Sequence, residues 1–204
     1  MVVRSCVHVA HNLSSDKDPI ILRCVGLTLA RLSTEHQNSQ RIIQELGVGA
    51  LCNIAMKFPT IPGITQPVST AFQLLARQES VRRPIVEKEN CVTALAQLLH
   101  NSEDKFTLQN SLYALCNLML EPNNHLPVVQ QGLILTLINM SSSEDDIVRD
   151  LCALGFYNLS RSDDSRKHIV NAGAVTSLIK LTSQKEAATK QRCACLLYTS
   201  DAAD

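Results

Sequence analysis

Tryptophan is absent from this sequence, and aromatic residues together make up only 3% of it. A core must therefore be filled by Leu, Ile, Val and Ala, and the 45% hydrophobic content supplies enough of them. Such a core suits close-packed helices. Glycine and proline number seven each, too few for the many turns of an all-β protein. Charge of one sign is lacking as well. Nineteen basic and nineteen acidic residues cancel, so no global field draws in nucleic acid or a membrane surface. No apolar run approaches the ~18 residues of a membrane span, and no signal-peptide pattern opens the chain. The expected location is cytoplasmic, with the nucleus as the other possibility. Eight cysteines show no CxxC and no ligand-like pairing with histidine. They read as reduced thiols, mostly buried.

What the sequence does have is a period. "RIIQELG" from Arg41, "PIVEKEN" from Pro84, "PVVQQG" from Pro127 and "HIVNAG" from His168 start 43, 43 and 41 residues apart. An independent series ends in "TLARLS", "AFQLLA", "ALCNLM" and "GFYNLS". Its leucines Leu32, Leu75, Leu118 and Leu159 repeat the same 43, 43 and 41. Two ladders in phase are the signature of a repeat architecture.

Each unit reads as three helices. In the unit near Ser80 to Leu120, "SVRRPIVEKE" is a short first helix with Pro84 in its first turns, where a missing N–H does least harm. "CVTALAQLLH" is a second helix, apolar at Val92, Leu95, Leu98 and Leu99, and "NSEDK" supplies caps and a turn. "FTLQNSLYALCNLML" is the third and longest, with Leu108, Leu112, Leu115 and Leu118–Met119 at helical spacing. The matching stripes are Val25, Leu29, Leu32; Val68, Phe72, Leu75; and Cys152, Phe156, Leu159. Asp18-Pro19 and the acids after Ser143 mark helix starts. "KFPTIPGIT" is predicted to be a loop between the second and third helices of its unit. A triplet of about 42 residues cannot cover its own apolar face, whereas stacked triplets can.

The strings "VVQQG…ALCNLM" and "HIVNAGAVTSLIKLTS" resemble the armadillo repeat. The resemblance covers about Val2 to Ala194. It implies an all-α fold, an armadillo-type right-handed α-solenoid in which three-helix repeats form a superhelix. Family repeats show a glycine opening the second helix and a third helix ending in Asn-Leu-Ser. The glycines here are Gly47, Gly132 and Gly173, with Asn90 in the matching slot of one unit. Asn and Gly tolerate the left-handed backbone of a tight corner. The Asn-Leu ending stands at Asn117 and Asn158 and is replaced at Arg31 and Leu74. HEAT repeats, the nearest competitor, usually lack the short first helix and this ending.

The array is expected to span 1–194: a partial repeat at 1–33, repeats at 34–78, 79–121 and 122–162, and a truncated repeat at 163–194. Residues 1–33 hold only two helices, so the chain reads as a fragment of a longer protein, and Met1 need not be a true start. Cys193 stands 41 residues after Cys152, in phase, but Asn-Leu fails to appear at 199–200. "CLLYTSDAAD", residues 195–204, resembles a translated sequencing adapter and reads as a non-native tail.

Catalytic constellations are scarce. "DDSRKH" at 163–168 reads as a capped helix start, with Asp163 or Asp164 as cap. His8 and His11 stand at i, i+3 but lack a third ligand. No phosphate-cradling glycine loop and no basic stripe with interleaved aromatics is present. The expectation is a protein that is not an enzyme, with no cofactor, metal, small-molecule substrate, nucleic acid or membrane insertion.

In armadillo folds the third helices line a concave groove, so the resemblance implies that in-register positions there form ladders. The terminal ladder is Arg31, Leu74, Asn117, Asn158; one turn back lie Leu27, Thr70, Tyr113, Leu154; a further turn back lie Arg23, Gln66, Gln109, Asp150. Arg77 and Arg161 follow the first ladder. The expected partner-binding residues are Arg31, Arg77, Gln109, Tyr113, Asn117, Asn158 and Arg161. A groove Asn donates and accepts together and so holds an extended backbone; the alternative is that each Asn bonds a helix end of its own repeat. The expected function is a scaffold that binds a protein partner, as an extended peptide or a helix. The alternative is a regulatory or targeting arm of a larger enzyme such as a ubiquitin ligase or kinase.

Overall fold

A computed structural model describes residues 2–12, 19–88, 90–182, 190–191 and 193–194. Among these residues the regular structure is helical throughout, with no strand. The chain divides into two compact units, residues 1–118 and 119–204.

Unit 1 contains α1 (Val2–Asn12), α2 (Pro19–Leu32), α3 (His36–Gln44), α4 (Gly47–Lys57), α5 (Pro62–Ala76), α6 (Glu79–Lys88), α7 (Cys91–Asn101) and α8 (Lys105–Leu118). The second helices α1, α4 and α7 pack in one row, and the third helices α2, α5 and α8 pack in another. Each second helix also meets the third helix of its own triplet, while the short first helices α3 and α6 touch each other at the flank. The core lies between the two long rows. Leu29, Leu51, Val68, Phe72, Leu75, Leu95, Leu112 and Leu115 are fully buried there. Leu32 and Leu108, at the ends of their stripes, are only half-buried.

Unit 2 contains a 3-10 turn at Pro122–Asn124, then α9 (His125–Gln130), α10 (Leu133–Met140), α11 (Asp146–Leu159), α12 (Asp163–Asn171) and α13 (Val175–Thr182). Here α11 packs against α10, α12 and α13, and α9 packs on α12. Phe156, Leu159, Leu137 and Leu178 fill the interior. Cys193 is helical and buried like its register mate Cys152. The expected tail at 195–204 and Asp18 lie outside the described residues.

Local corrections to the sequence reading have physical causes. The "KFPTIPGIT" stretch is mostly not loop: Pro62 occupies the first turn of α5, where its absent N–H costs nothing, and only Phe58–Ile61 connects the helices. Pro84 lies in the interior of α6, not its first turn, because that helix begins at Glu79. The N-cap of α11 is Asp145, which accepts from the Val148 N–H at 3.0 Å, while the Ser143 hydroxyl accepts from the Asp145 N–H. The N-cap of α12 is Ser162, one residue before the expected aspartates.

The helix corners also differ from expectation. Gly132 (φ 83°) and Gly173 (φ 75°) are left-handed as anticipated. Gly47 is not; the left-handed residue there is Leu46, at φ 61°. The string "QELG" is one residue longer than "QQG", which moves the corner off the glycine. Gly47 is needed for space instead, since a Cβ there would stand 2.6 Å from Ile42 Cγ2. Asn90 (φ −73°) is an N-cap residue and not left-handed. Cys52, Cys91, Cys116, Cys152 and Cys193 are buried, whereas Cys24 is exposed and Cys6 half-buried. Burial pushes the Cys6 thiol above its ordinary pKa.

Asp104 ties α5 to α8. Its carboxylate accepts from the Thr107 N–H (2.8 Å), the Thr107 hydroxyl (2.7 Å) and Gln66 Nε2 (2.9 Å). The Thr65 and Thr107 hydroxyls meet at 3.0 Å inside the core. Burial alone would raise the Asp104 pKa; the bonds from the Thr107 side chain, Gln66 and the Thr107 backbone outweigh it and hold the carboxyl below its usual range. The sign follows. The unfolded pKa is about 3.9, so this stabilisation is complete above it and is lost as the pH falls through the lower folded value. Asp104→Asn is expected to cost about 1 kcal/mol at neutral pH. Urea melts across the acid range should show that difference shrink as the pH falls through the lowered folded value and vanish once the carboxyl is protonated. A gap that persists there assigns the cost to shape rather than charge.

One in-register device crosses residue types. Each first helix carries a side chain that donates to the carbonyl six residues upstream, at the end of the preceding third helix. In unit 1, Ser39 Oγ reaches the Ser33 carbonyl at 3.4 Å, and Arg82 Nε reaches that of Ala76 at 3.1 Å. In unit 2, His125 Nε2 reaches Met119 at 2.8 Å, and Arg166 Nη1 reaches Ser160 at 2.7 Å. A helix end leaves its last carbonyls without intrahelical donors, and these side chains supply them. The arginines also complement the negative end of the helix dipole.

Candidate functional site

Third helices gather the polar groups left over after packing. Successive triplets stack in register, so equal positions on α2, α5 and α8 lie side by side. Bonds from Asn110 Nδ2 to Thr70 Oγ1 (3.1 Å) and from Gln66 to Asp104 fix that register between α5 and α8. Between α2 and α5 the register is marked by Gly26, whose absent Cβ lets Pro67 approach; a Cβ there would stand 3.3 Å from Pro67 Cβ.

On this unit 1 face Arg31 is exposed near the end of α2, and Arg77 is exposed at the C-cap of α5. Neither guanidinium pairs with a carboxylate among the described residues. Gln109 is half-buried on α8. Tyr113 is 41% exposed one turn before Asn117, which is half-buried and has no side-chain hydrogen-bond partner among the described residues. The structure thus brings Arg31, Arg77, Gln109, Tyr113 and Asn117 onto the third helices of one unit.

The remaining two residues belong to unit 2. Arg161 is exposed just beyond α11. Asn158 is only 3% exposed and takes part in interactions inside the protein. It presents almost no surface to a partner, which favours the reading of that Asn as an internal bonding group. Nothing in the two Asn-Leu strings distinguishes the half-buried Asn117 from the buried Asn158; their different packing does.

Sequence reasoning missed part of the face. Phe106, at the start of α8, is 64% exposed, and Ile20 occupies the same register on α2, also exposed. Gly63 lies between them in register on α5, with open space above it. The signal was available, because these positions stand one ladder beyond those considered. Exposure of an aromatic in a chain so short of them was the hint.

Charge is distributed unevenly. Helices α2, α5 and α8 contain no aspartate or glutamate, while Arg23, Arg31 and Lys105 lie on them and Arg77 caps one. Acids stand at the rim: a recess of about 450 Å³ beside the starts of α5 and α8 is lined by Thr60, Pro62, Asn101, Glu103 and Asp104. Helix α11 differs, with Asp146 and Asp150 flanking Arg149, which is ion-paired to Asp146.

Other candidates from the sequence assemble no reactive site. In 163–168 Ser165 is buried in α12, and Asp163 is engaged by Arg166. His8 is exposed on α1, and the His11 side chain lies outside the described residues. Among the described residues no three metal-ligating side chains cluster. No described helix is long and apolar enough to cross a membrane.

No protein-family model matches the sequence, and no curated protein matches it either. Solved structures do match. An engineered protein from the Northeast Structural Genomics Consortium superposes with a TM-score of 0.80 at 20% identity, over 98% of this chain and 79% of its own. A designed armadillo repeat protein in complex with the peptide (KR)4 gives 0.80 at 13% identity, over 96% of this chain and 80% of its own. A computationally designed armadillo repeat protein for modular peptide recognition gives 0.79 at 13% identity, over 96% and 90%. Identities this low speak to backbone architecture alone, and on that ground the chain is an all-α protein with the armadillo-repeat fold.

Proposed function

We propose that this protein is a non-enzymatic scaffold that binds a protein partner, as an extended peptide or a helix, on the third helices of unit 1. One observation carries the reading: the side chains of Arg31, Arg77 and Asn117 have no partners among the described residues and lie beside the exposed Tyr113. Packing accounts for most other polar groups of these helices. The fold likeness to designs made for peptide recognition supports the same reading. The mechanism is recognition by hydrogen bonding and shape. Asn117 donates to and accepts from a partner's backbone, and the guanidiniums present forked donors to carbonyls or carboxylates. In unit 2, Arg161 is the corresponding exposed guanidinium.

The test is peptide display against the whole chain, followed by titration of the selected peptides on an Asn117→Ala/Arg77→Ala variant. Affinity is expected to fall roughly tenfold or more, as for truncation at the centre of an interface. The far-ultraviolet dichroism should stay unchanged. Binders insensitive to both substitutions but lost on substitution of exposed residues of α3 or α6 would place the site on the opposite side and end the proposal.

A further inference from the structure

The third-helix face of unit 1 has a chemical polarity that specifies its occupant beyond "a peptide". Midway along the helices, Leu27 on α2 and Tyr113 on α8 are both exposed, and the in-register residue on the intervening α5 is the smaller Thr70. Thr70 is held down by its own bonds, donating to the Gln66 carbonyl at 2.8 Å and accepting from Asn110. Two apolar walls therefore flank a low floor one helix wide. Toward the helix N-termini the walls continue as Ile20 and Phe106, with Gly63 as the floor. Toward the C-termini the surface turns cationic, with Arg31 one turn beyond Leu27 and Arg77 two turns beyond Thr70. No acid on α2, α5 or α8 neutralises them, and Glu35 and Glu79, exposed just past α2 and α5, pair with neither arginine among the described residues. The opposite rim carries Glu103 and Asp104, and the Asp104 carboxylate is already engaged by Gln66 and Thr107.

We infer that this face takes a segment with one bulky apolar side chain, seated between Leu27 and Tyr113 over Thr70, next to acidic residues that meet Arg31 and Arg77. The inference rests on the proposed peptide-binding reading and adds the chemistry of the ligand. Charge decides against a basic ligand: a lysine or arginine near the C-terminal rim would meet two unpaired guanidiniums, and like charges at an interface are strongly disfavoured. The apolar walls decide against a purely ionic ligand. Exposed leucine and phenylalanine gain from burial only if an apolar group covers them. This preference is opposite to that of the designed protein bound to (KR)4, whose backbone this chain shares.

Three labelled peptides test it by fluorescence anisotropy on the whole chain: DEDFEDE, DEDAEDE and (KR)4. DEDFEDE is expected to bind at least ~10-fold more tightly than DEDAEDE, since an aromatic anchor dominates small interfaces. Its affinity should fall with added salt, and (KR)4 should not bind. Tyr113→Ala should bring DEDFEDE down to the level of DEDAEDE. Arg31→Glu/Arg77→Glu should abolish DEDFEDE binding, with unchanged helix content as the folding check. Equal binding of DEDFEDE and DEDAEDE removes the apolar anchor, and tighter binding of (KR)4 removes the charge preference. Either result overturns the inference, and if that binding still depends on Asn117 the scaffold reading survives. Failure of all three, together with display-selected peptides indifferent to Asn117 and Arg77, overturns both.

Discussion

Phe72→Ala is expected to lower the unfolding free energy of unit 1 by about 3–5 kcal/mol, as for other buried aromatics truncated in a core. Phe72 is fully buried on α5, and α5 packs against α2 on one side, α8 on the other and α4 beneath. The second helix α4 is enclosed in the same way, by α1, α7 and α5. Its register mates are Leu29 on α2, Leu115 on α8 and Phe156 on α11, all fully buried. Native domains are stable by about 5–15 kcal/mol, so the loss is a large share of the total. Repeat stability depends on neighbouring interfaces, so the damage spreads to both flanking helices. Urea denaturation followed by circular dichroism measures it, and Phe72→Leu, which keeps most of the volume, should cost less. A loss below ~1 kcal/mol would mean that α5 is not enclosed by its neighbours.

Second in size is His125→Ala, expected to cost about 2–4 kcal/mol. His125 is buried at the start of α9, and its Nε2 lies 2.8 Å from the Met119 carbonyl oxygen. A carbonyl only accepts, so Nε2 carries the proton and donates. Truncation removes the donor, leaves that carbonyl without it away from water, and opens a void where the ring stood. The first effect alone is about 1–3 kcal/mol. His125→Arg distinguishes the hydrogen bond from simple filling. Arginine makes the corresponding bond at Arg82 and Arg166, so it should recover more stability than a leucine of comparable bulk. If leucine recovers as much, the side chain at this register serves only to fill space.

The four clasp residues show why part of the fold was hidden in the sequence. Ser39, Arg82, His125 and Arg166 recur at the same 43, 43 and 41 spacing as the leucines. They share no side-chain class, only the capacity to donate a hydrogen bond toward a helix end. A search for conserved type passes over them, whereas a search for conserved position finds them. Leu46 carries a similar lesson. One extra residue in "QELG" shifts the left-handed corner onto a leucine, at a cost of about 1–2 kcal/mol, while the glycine beside it answers a steric need of Ile42.

Asn117 and Asn158 mark the other limit. Both precede a leucine at the same place in their units, and their sequence contexts are interchangeable. One is half-exposed without a side-chain partner; the other is buried and engaged. Burial of a polar side chain depends on whether the packed structure brings it a partner, which the Asn-Leu string does not state.

By itself, then, the sequence determined the period, the helical triplet and the row of third helices that must share a core. Those follow from apolar spacing, which is local and repeated. Tertiary packing alone decided which polar groups were used up at helix ends and which remained free, and where the scarce aromatics reached the surface. Exposure, and bonds such as Asn110 to Thr70 and Gln66 to Asp104, are properties of stacked neighbours some forty residues apart, and a periodic string states that they are adjacent without stating which atoms meet.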